Sequence, residues 1–140
     1  MSCIFCDIIA GEAQASFVYQ DDLCVAFMDT RPLNPGHILV VPKAHSSSLA
    51  ELSADTGGHL FKVSQILAAA LRESGLRCEG VNLFLSDGVP AGQTIFHVHL
   101  HLVPRFRGDG FGFKFNPANL IHPPRAELEM NAEQIRAAYR

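Results

Sequence analysis

The 140-residue chain has no block of basic residues, and its formal net charge is -3. A nucleic-acid backbone is therefore not expected as a partner. Nucleotides remain open, because backbone amides and neutral donors can hold their phosphates. No stretch approaches the roughly 18 apolar residues of a membrane span, so no membrane partner is expected. The start, Met-Ser-Cys-Ile-Phe-Cys-Asp, has no basic segment leading into an apolar run and does not read as a signal peptide. A cytoplasmic location is the default expectation. Thiols stay reduced there, so the four cysteines are not read as a disulfide framework. Internal repeats, low-complexity tracts and linkers are missing too.

What is present reads as one globular domain over residues 1–140. Hydrophobic residues make up 48% of the chain and charged residues 18%, enough to build a core at this length. Phe17–Gln20 and Leu23–Met28 are short apolar-rich runs parted by Asp21-Asp22, the pattern of a β-hairpin. Asp29 to Gly36 holds two prolines, an asparagine and a glycine, and is predicted as a loop. Ile38–Val41 is a continuous apolar run, a central strand that Pro42 ends or bulges. Ser53 to Ser74 predicts the main helix, with Leu60, Val63, Leu67, Ala70 and Leu71 in an apolar stripe widened by Phe61 and Ile66. Val81–Leu85 and Phe96–Val103 are further strands, with a loop at Asp87 to Gly92. Ala132–Tyr139 is a short terminal helix. Cys24 and Cys78 are expected as buried small hydrophobes, and His59 and His122 as surface residues. The sum is an α+β domain: an antiparallel sheet of about five strands with one main helix.

Residues 97–101 read His-Val-His-Leu-His. Alternate residues of a strand share a face. His97, His99 and His101 are thus predicted on one side, with Val98, Leu100 and Leu102 in the opposite, apolar layer. A plain metal clamp is one use of such a row. Phosphoryl chemistry is the other, since imidazole is a nucleophile near neutral pH and a proton donor once charged. The loop Asp87-Gly88-Val89-Pro90-Ala91-Gly92-Gln93-Thr94 leads straight into this strand, and glycine-rich loops can aim backbone N–H groups at a phosphate. Gln93 and Thr94 add side-chain donors.

His37 stands opposite Ile38 and Val40 in strand phase, within reach of the triad if its strand is a neighbour. Cys3 and Cys6 form C-x-x-C. A redox pair would sit after a strand, which two preceding residues cannot supply. Zinc is the better reading, and His45 with one triad histidine would complete a Cys₂His₂ set.

The string Gly-Gln-Thr-Ile-Phe-His-Val-His-Leu-His-Leu-Val-Pro-Arg, residues 92–105, resembles the signature of the histidine-triad (HIT) superfamily. Cys3-Ile-Phe-Cys-Asp-Ile-Ile-Ala-Gly-Glu12, Val25-Ala-Phe-Met-Asp29, Pro35 to His45 and Gly108-Asp-Gly-Phe-Gly112 are similar to further blocks of its zinc-containing bacterial, Hint-like branch. The resemblance covers a core of about residues 3–116, leaving a C-terminal tail at 117–140, and implies a HIT-like fold and a homodimer whose sheets join into one of ten strands. It implies a nucleotide hydrolase releasing a nucleoside monophosphate, AMP or GMP, from a phosphoramidate or phosphoanhydride through a nucleotidyl-histidine on His99. It implies that His101 contacts phosphoryl oxygens or the leaving-group side and that His37 and His97 hold the constellation. Thr94, Gln93, Gly92 and Ser86 would bind phosphate, Asp29 the ribose, and Phe5, Ile8 and Phe27 a purine base. Ser86 stands where asparagine is usual, a shorter donor. The branch's zinc ligands match Cys3, Cys6, His45 and His97; four protein ligands make the metal structural. No organic cofactor is implied. The alternatives are a dinucleoside polyphosphate hydrolase and, in another class, a nucleotide-binding scaffold with little catalysis. On one straight strand His37 and His45 would lie about 26 Å apart, against about 13 Å for His97 and His101. Both pairings hold only if the chain bends after the strand, where Pro42 sits.

Overall fold

Every residue of β3 (Ile38–Pro42) is buried, as befits a strand with a layer on each side. It lies at the centre of a five-stranded sheet in a computed structural model that describes residues 2–112 and 115–139. The other strands are β1 (Phe17–Gln20), β2 (Cys24–Met28), β4 (Gly80–Phe84) and β5 (Leu100–Arg105). Their order is β1-β2-β3-β5-β4 and every pair is antiparallel. The chain divides into two compact units, Met1–Asp109 and Gly110–Arg140. Phe113 and Lys114 of the expected core, and Arg140 of the expected tail, lie outside the described residues.

Strand alternation sorts the core into two layers. Cys24, Ala26, Ile38, Val40 and Leu102 face one way and pack on Leu60, Val63, Leu67 and Leu71 of helix α2 (Ala54–Glu73). Val25, Phe27, Leu39 and Val41 face the other way and pack on Phe5 and Ile8 of helix α1 (Ile4–Ile9). The ladder aligns Phe17, Phe27, Leu39, His101 and Phe84 in one row across this second face. Asp21 makes the β1–β2 turn, its Oδ1 accepting from the backbone N–H of Leu23 and Cys24 at 2.8 and 2.9 Å. Ser53 caps α2 by accepting from the Thr56 N–H at 3.1 Å.

Several expectations are corrected. The last strand begins at Leu100, not Phe96, so only His101 of the three histidines lies on a strand. Residues 96–99 are held apart from the ladder: the Val98 N–H donates to the Ser46 carbonyl at 2.8 Å, and His97 and His99 turn to different partners. Phe61 and Ile66 are exposed, at 55% and 51%, so the apolar stripe of α2 is narrower than its sequence suggests. Ala70 is exposed as well, while Ser64 is buried and donates to the Leu60 carbonyl at 2.7 Å. Strand β4 begins and ends one residue before Val81–Leu85. Cys24 is buried as expected, but Cys78 is only half-buried. His59 is no bystander; its Nε2 lies 2.6 Å from Asp21 Oδ2 and ties α2 to the β1–β2 turn.

In the Gly110–Arg140 unit, helix α3 (Arg125–Ala138) starts well before Ala132. It buries none of its residues, although Leu128, Ala132 and Ile135 recur at helical spacing. Arg136 pairs with Glu129 and Glu133 at 2.7 and 2.8 Å, exposed contacts that water screens. No helix among the described residues is long and apolar enough to cross a membrane.

Candidate active site

The segment before β3 is fixed from both sides. Asn34 is buried and donates to the Pro104 carbonyl and to Asp109, each at 2.9 Å, while its own carbonyl accepts from the His37 N–H. Gly36 has φ +100°, and a Cβ there would lie 3.1 Å from Leu76 and 3.2 Å from Pro104. Only glycine fits that approach. His37 is thereby delivered to the second face of the sheet, beside His101.

Hydrogen bonds then settle which nitrogen of each ring carries the proton. The Leu33 N–H donates to His37 Nδ1 at 3.1 Å, so neutral His37 has its proton on Nε2. That N–H faces His101 Nδ1 at 2.9 Å and Asp29 Oδ2 at 3.5 Å. With Nδ1 accepting, His101 carries its proton on Nε2. His99 is set the other way. Its Nδ1–H donates to the His97 carbonyl at 2.8 Å, which leaves an unshared pair on Nε2. His99 and His101 therefore form a pair with one bare nitrogen and one N–H, their rings 4.8 Å apart. Phe84 stacks on His101 at 4.3 Å, and Phe5 meets His99 edge-on at 5.1 Å.

Burial keeps this cluster neutral. It pushes the His99 imidazole below its ordinary value, against the opposing pull of the His97 carbonyl and of Asp29. His37 is lowered by burial and by His99, again against Asp29. His101 is pushed down to about 4 by burial, then by His99 and His37. Neutral rings at pH 7 match the hydrogen-bond pattern.

A cavity of about 620 Å³ opens onto His99 and His101. Of the residues singled out from the sequence, Phe5, Ile8, Phe27, Asp29 and Thr94 line it. Ser86, Gly92 and Gln93 do not. The Gln93 carboxamide is committed to main chain: Oε1 accepts from the Gly88 N–H at 2.8 Å, and Nε2 donates to the Ser47 and Ile95 carbonyls at 2.9 and 3.1 Å. It braces the loop, which includes a single 3-10 turn, Val89–Ala91. Gly92 closes that turn at φ +96°. Ile4, Gln14, Ala15, Met28, Thr30, Arg31, Leu39 and Ile95 complete the cavity wall and were not singled out from the sequence. Most come from strand ends and flanks, where nothing in the sequence gives the register.

His97 points away from this cavity. Its Nε2–H donates to the Pro42 carbonyl at 2.8 Å, leaving Nδ1 bare toward Cys3 Sγ at 3.4 Å and Cys6 Sγ at 3.5 Å. His45 Nδ1 is 3.3 Å from Cys6 Sγ. The four donor atoms all lie within 4.8 Å of one another. Tetrahedral zinc with ordinary Zn–S and Zn–N bonds separates sulfur from nitrogen by about 3.6 Å. The donor set, its spacing and the carbonyl on the remote nitrogen of His97 all fit that ion. The chain turns at the end of β3, so His37 and His45 reach separate clusters.

The chain matches the model of the HIT domain over residues 10–108. It is 43% identical over 130 residues to an uncharacterized HIT-like protein of Borreliella burgdorferi, across 91% of this chain and 94% of that one. It is 39% identical over 108 residues to the adenylylsulfatase HINT3 of Arabidopsis thaliana, across 76% of this chain and 54% of that one. A Zn-bound histidine triad family protein from Mycobacterium smegmatis has the same fold, with TM-score 0.77, 39% identity and coverage of 99% and 98% of the two chains.

Proposed function

This chain belongs to the HIT domain family, and on that premise we propose that it is a nucleotide hydrolase releasing a nucleoside monophosphate through an intermediate on His99. The observation that carries this reading is the opposed protonation of His99 and His101 at one cavity. His99 Nε2 attacks the α-phosphorus, a P–N bond forms, and the bond to the leaving group breaks. The N–H of His101 Nε2 donates to a phosphoryl oxygen or on the leaving-group side. Water then attacks the same phosphorus, the P–N bond breaks, and the monophosphate leaves with His99 restored. His37 acts through His101 and holds its tautomer. Thr94 donates to the phosphate, and Asp29 accepts from the ribose hydroxyls. Phe5, Ile8 and Phe27 offer the flat apolar walls a purine ring needs. The adenylyl substrate in the name of the Arabidopsis relative agrees with a nucleotide here.

Cys3, Cys6, His45 and His97 would hold a structural zinc, which supplies no open position and only fixes the strand lead-in. The named zinc in the mycobacterial structure supports that set. We also read the protein as a homodimer joining two sheets. The exposed Phe61 and Ile66 on α2 and the open edge of β4 support that assembly.

The test is release of AMP from adenosine phosphoramidate and from diadenosine polyphosphate, wild type beside His99→Ala. Release by the wild type alone supports the nucleophile, and the better of the two substrates names the subclass. Nucleotide binding without turnover would replace the hydrolase with a binding scaffold.

A further inference from the structure

We infer that Arg31 and Gln14 select the base, and that the preferred substrate is a nucleotide of a 6-oxopurine, guanine or hypoxanthine, over one of adenine. This rests on the nucleotide-hydrolase reading of the same cavity. Arg31 is the one guanidinium among the residues lining that cavity, and Gln14 the one carboxamide. Neither side chain bonds to any described residue. They lie on the flanks of β1 and β2. Phe17 pairs with Phe27, and the Met28 N–H donates to the Ser16 carbonyl at 3.0 Å. Gln14 lies two residues before that bond and Arg31 three residues after it, and both line the cavity. The Arg31 N–H donates to Asp29 Oδ1 at 2.8 Å, a local turn that lets residues 29 and 31 both reach the cavity.

Asp29 also faces His37, so a ribose on Asp29 lies between the histidines and Arg31. A base carried on that ribose extends along Phe5, Ile8 and Phe27 toward Gln14 and Arg31. A guanidinium offers two parallel N–H donors and no acceptor. The O6 and N7 atoms of a 6-oxopurine both accept and fit that fork, whereas adenine places an N6–H donor against it. The Gln14 carbonyl oxygen supplies an acceptor for the N1–H that a 6-oxopurine carries. Apolar walls alone would discriminate weakly between the two rings.

The experiment compares kcat/KM for guanosine and adenosine 5′-phosphoramidates, which share one leaving group, with wild type, Arg31→Ala and Arg31→Lys full-length chains. GMP and AMP binding is titrated in parallel. The wild type should favour guanosine by about tenfold or more, as a bidentate contact gives. In Arg31→Ala the ratio should collapse to about twofold or less, the loss falling on guanosine, and Arg31→Lys should restore little of it because its ammonium lacks the planar fork. Arg31 is exposed, so melting should show both variants folded. A wild-type ratio near one, or favouring adenosine, overturns the inference and leaves the hydrolase reading standing. A ratio that survives Arg31→Ala also overturns it. If neither substrate turns over while GMP binds more tightly than AMP through Arg31, the hydrolase reading fails and base selection stands.

Discussion

The main-chain carbonyl of His97 accepts the Nδ1–H of His99 at 2.8 Å, while the ring of His97 faces Cys3 and Cys6. One residue thus belongs to the thiol cluster through its side chain and to the histidine pair through its backbone. Anything that loosens the ring also loosens the acceptor that keeps His99 Nε2 bare.

Cys6→Ser should accordingly disturb both places. The wild type should carry about one zinc per chain by elemental analysis, and the variant much less. The melting temperature should fall by about 5–10 °C, with kcat for the phosphoramidate falling alongside it. A wild type without zinc after growth in zinc-supplemented medium would remove the metal from this picture. So would a variant melting at the wild-type temperature.

His37 touches His101 and not the cavity, so its removal should act on kcat. In His37→Ala, His101 loses the donor at 2.9 Å that fixes its tautomer. A loss of about 10–100-fold in kcat with little change in KM is expected, as for outer partners of metal-bound imidazoles. A variant that keeps kcat and raises KM instead would make His37 a binding group.

Gln93→Ala separates a loop brace from a phosphate donor. It leaves the Gly88 N–H and two carbonyls without their partner. Chemical denaturation should show a loss of about 1–3 kcal/mol. Unchanged stability with a raised KM would return Gln93 to the substrate.

Asp21 carries a pH-dependent part of the stability. Burial alone would raise its carboxyl, but hydrogen bonds from His59, the Cys24 and Leu23 amides and Tyr19 outweigh it and hold the group well below the usual carboxylate range. The contribution is therefore fully present above the unfolded value of about 4 and is lost as pH falls below it. Asp21→Asn should melt lower than the wild type at pH 7, and the gap should narrow toward pH 3. An equal gap at both pH values would show that the charge plays no part.

Much of this was legible because alternation and spacing are backbone properties. Ile38–Val41 and the Asp21 turn follow from local chemistry, and the structure has both. His99 and His101 could be singled out because three histidines at period two interrupt an apolar run. The same period misled the reading of Phe96–Val103 as strand, since the Val98 N–H is taken by Ser46, fifty-two residues away. Gln14 and Arg31 were illegible for a related reason. They lie on the flanks of β1 and β2, beyond the paired residues, where strand alternation assigns no face. His59 finds Asp21 only once α2 lies over the sheet.

The two-layer alternation of β3 has a consequence for how this segment tolerates change. Odd-numbered positions from His37 to Val41 serve the histidine face and even-numbered ones the α2 face. A substitution disturbs one layer at one point. Deleting a single residue just after His37 would exchange the faces for the rest of the strand, or carry His37 off its face if the strand kept its register. Residue identity in β3 is thus negotiable position by position, but its length is not: an insertion or deletion of one residue there is a change of architecture, and only changes by two leave the sides as they are.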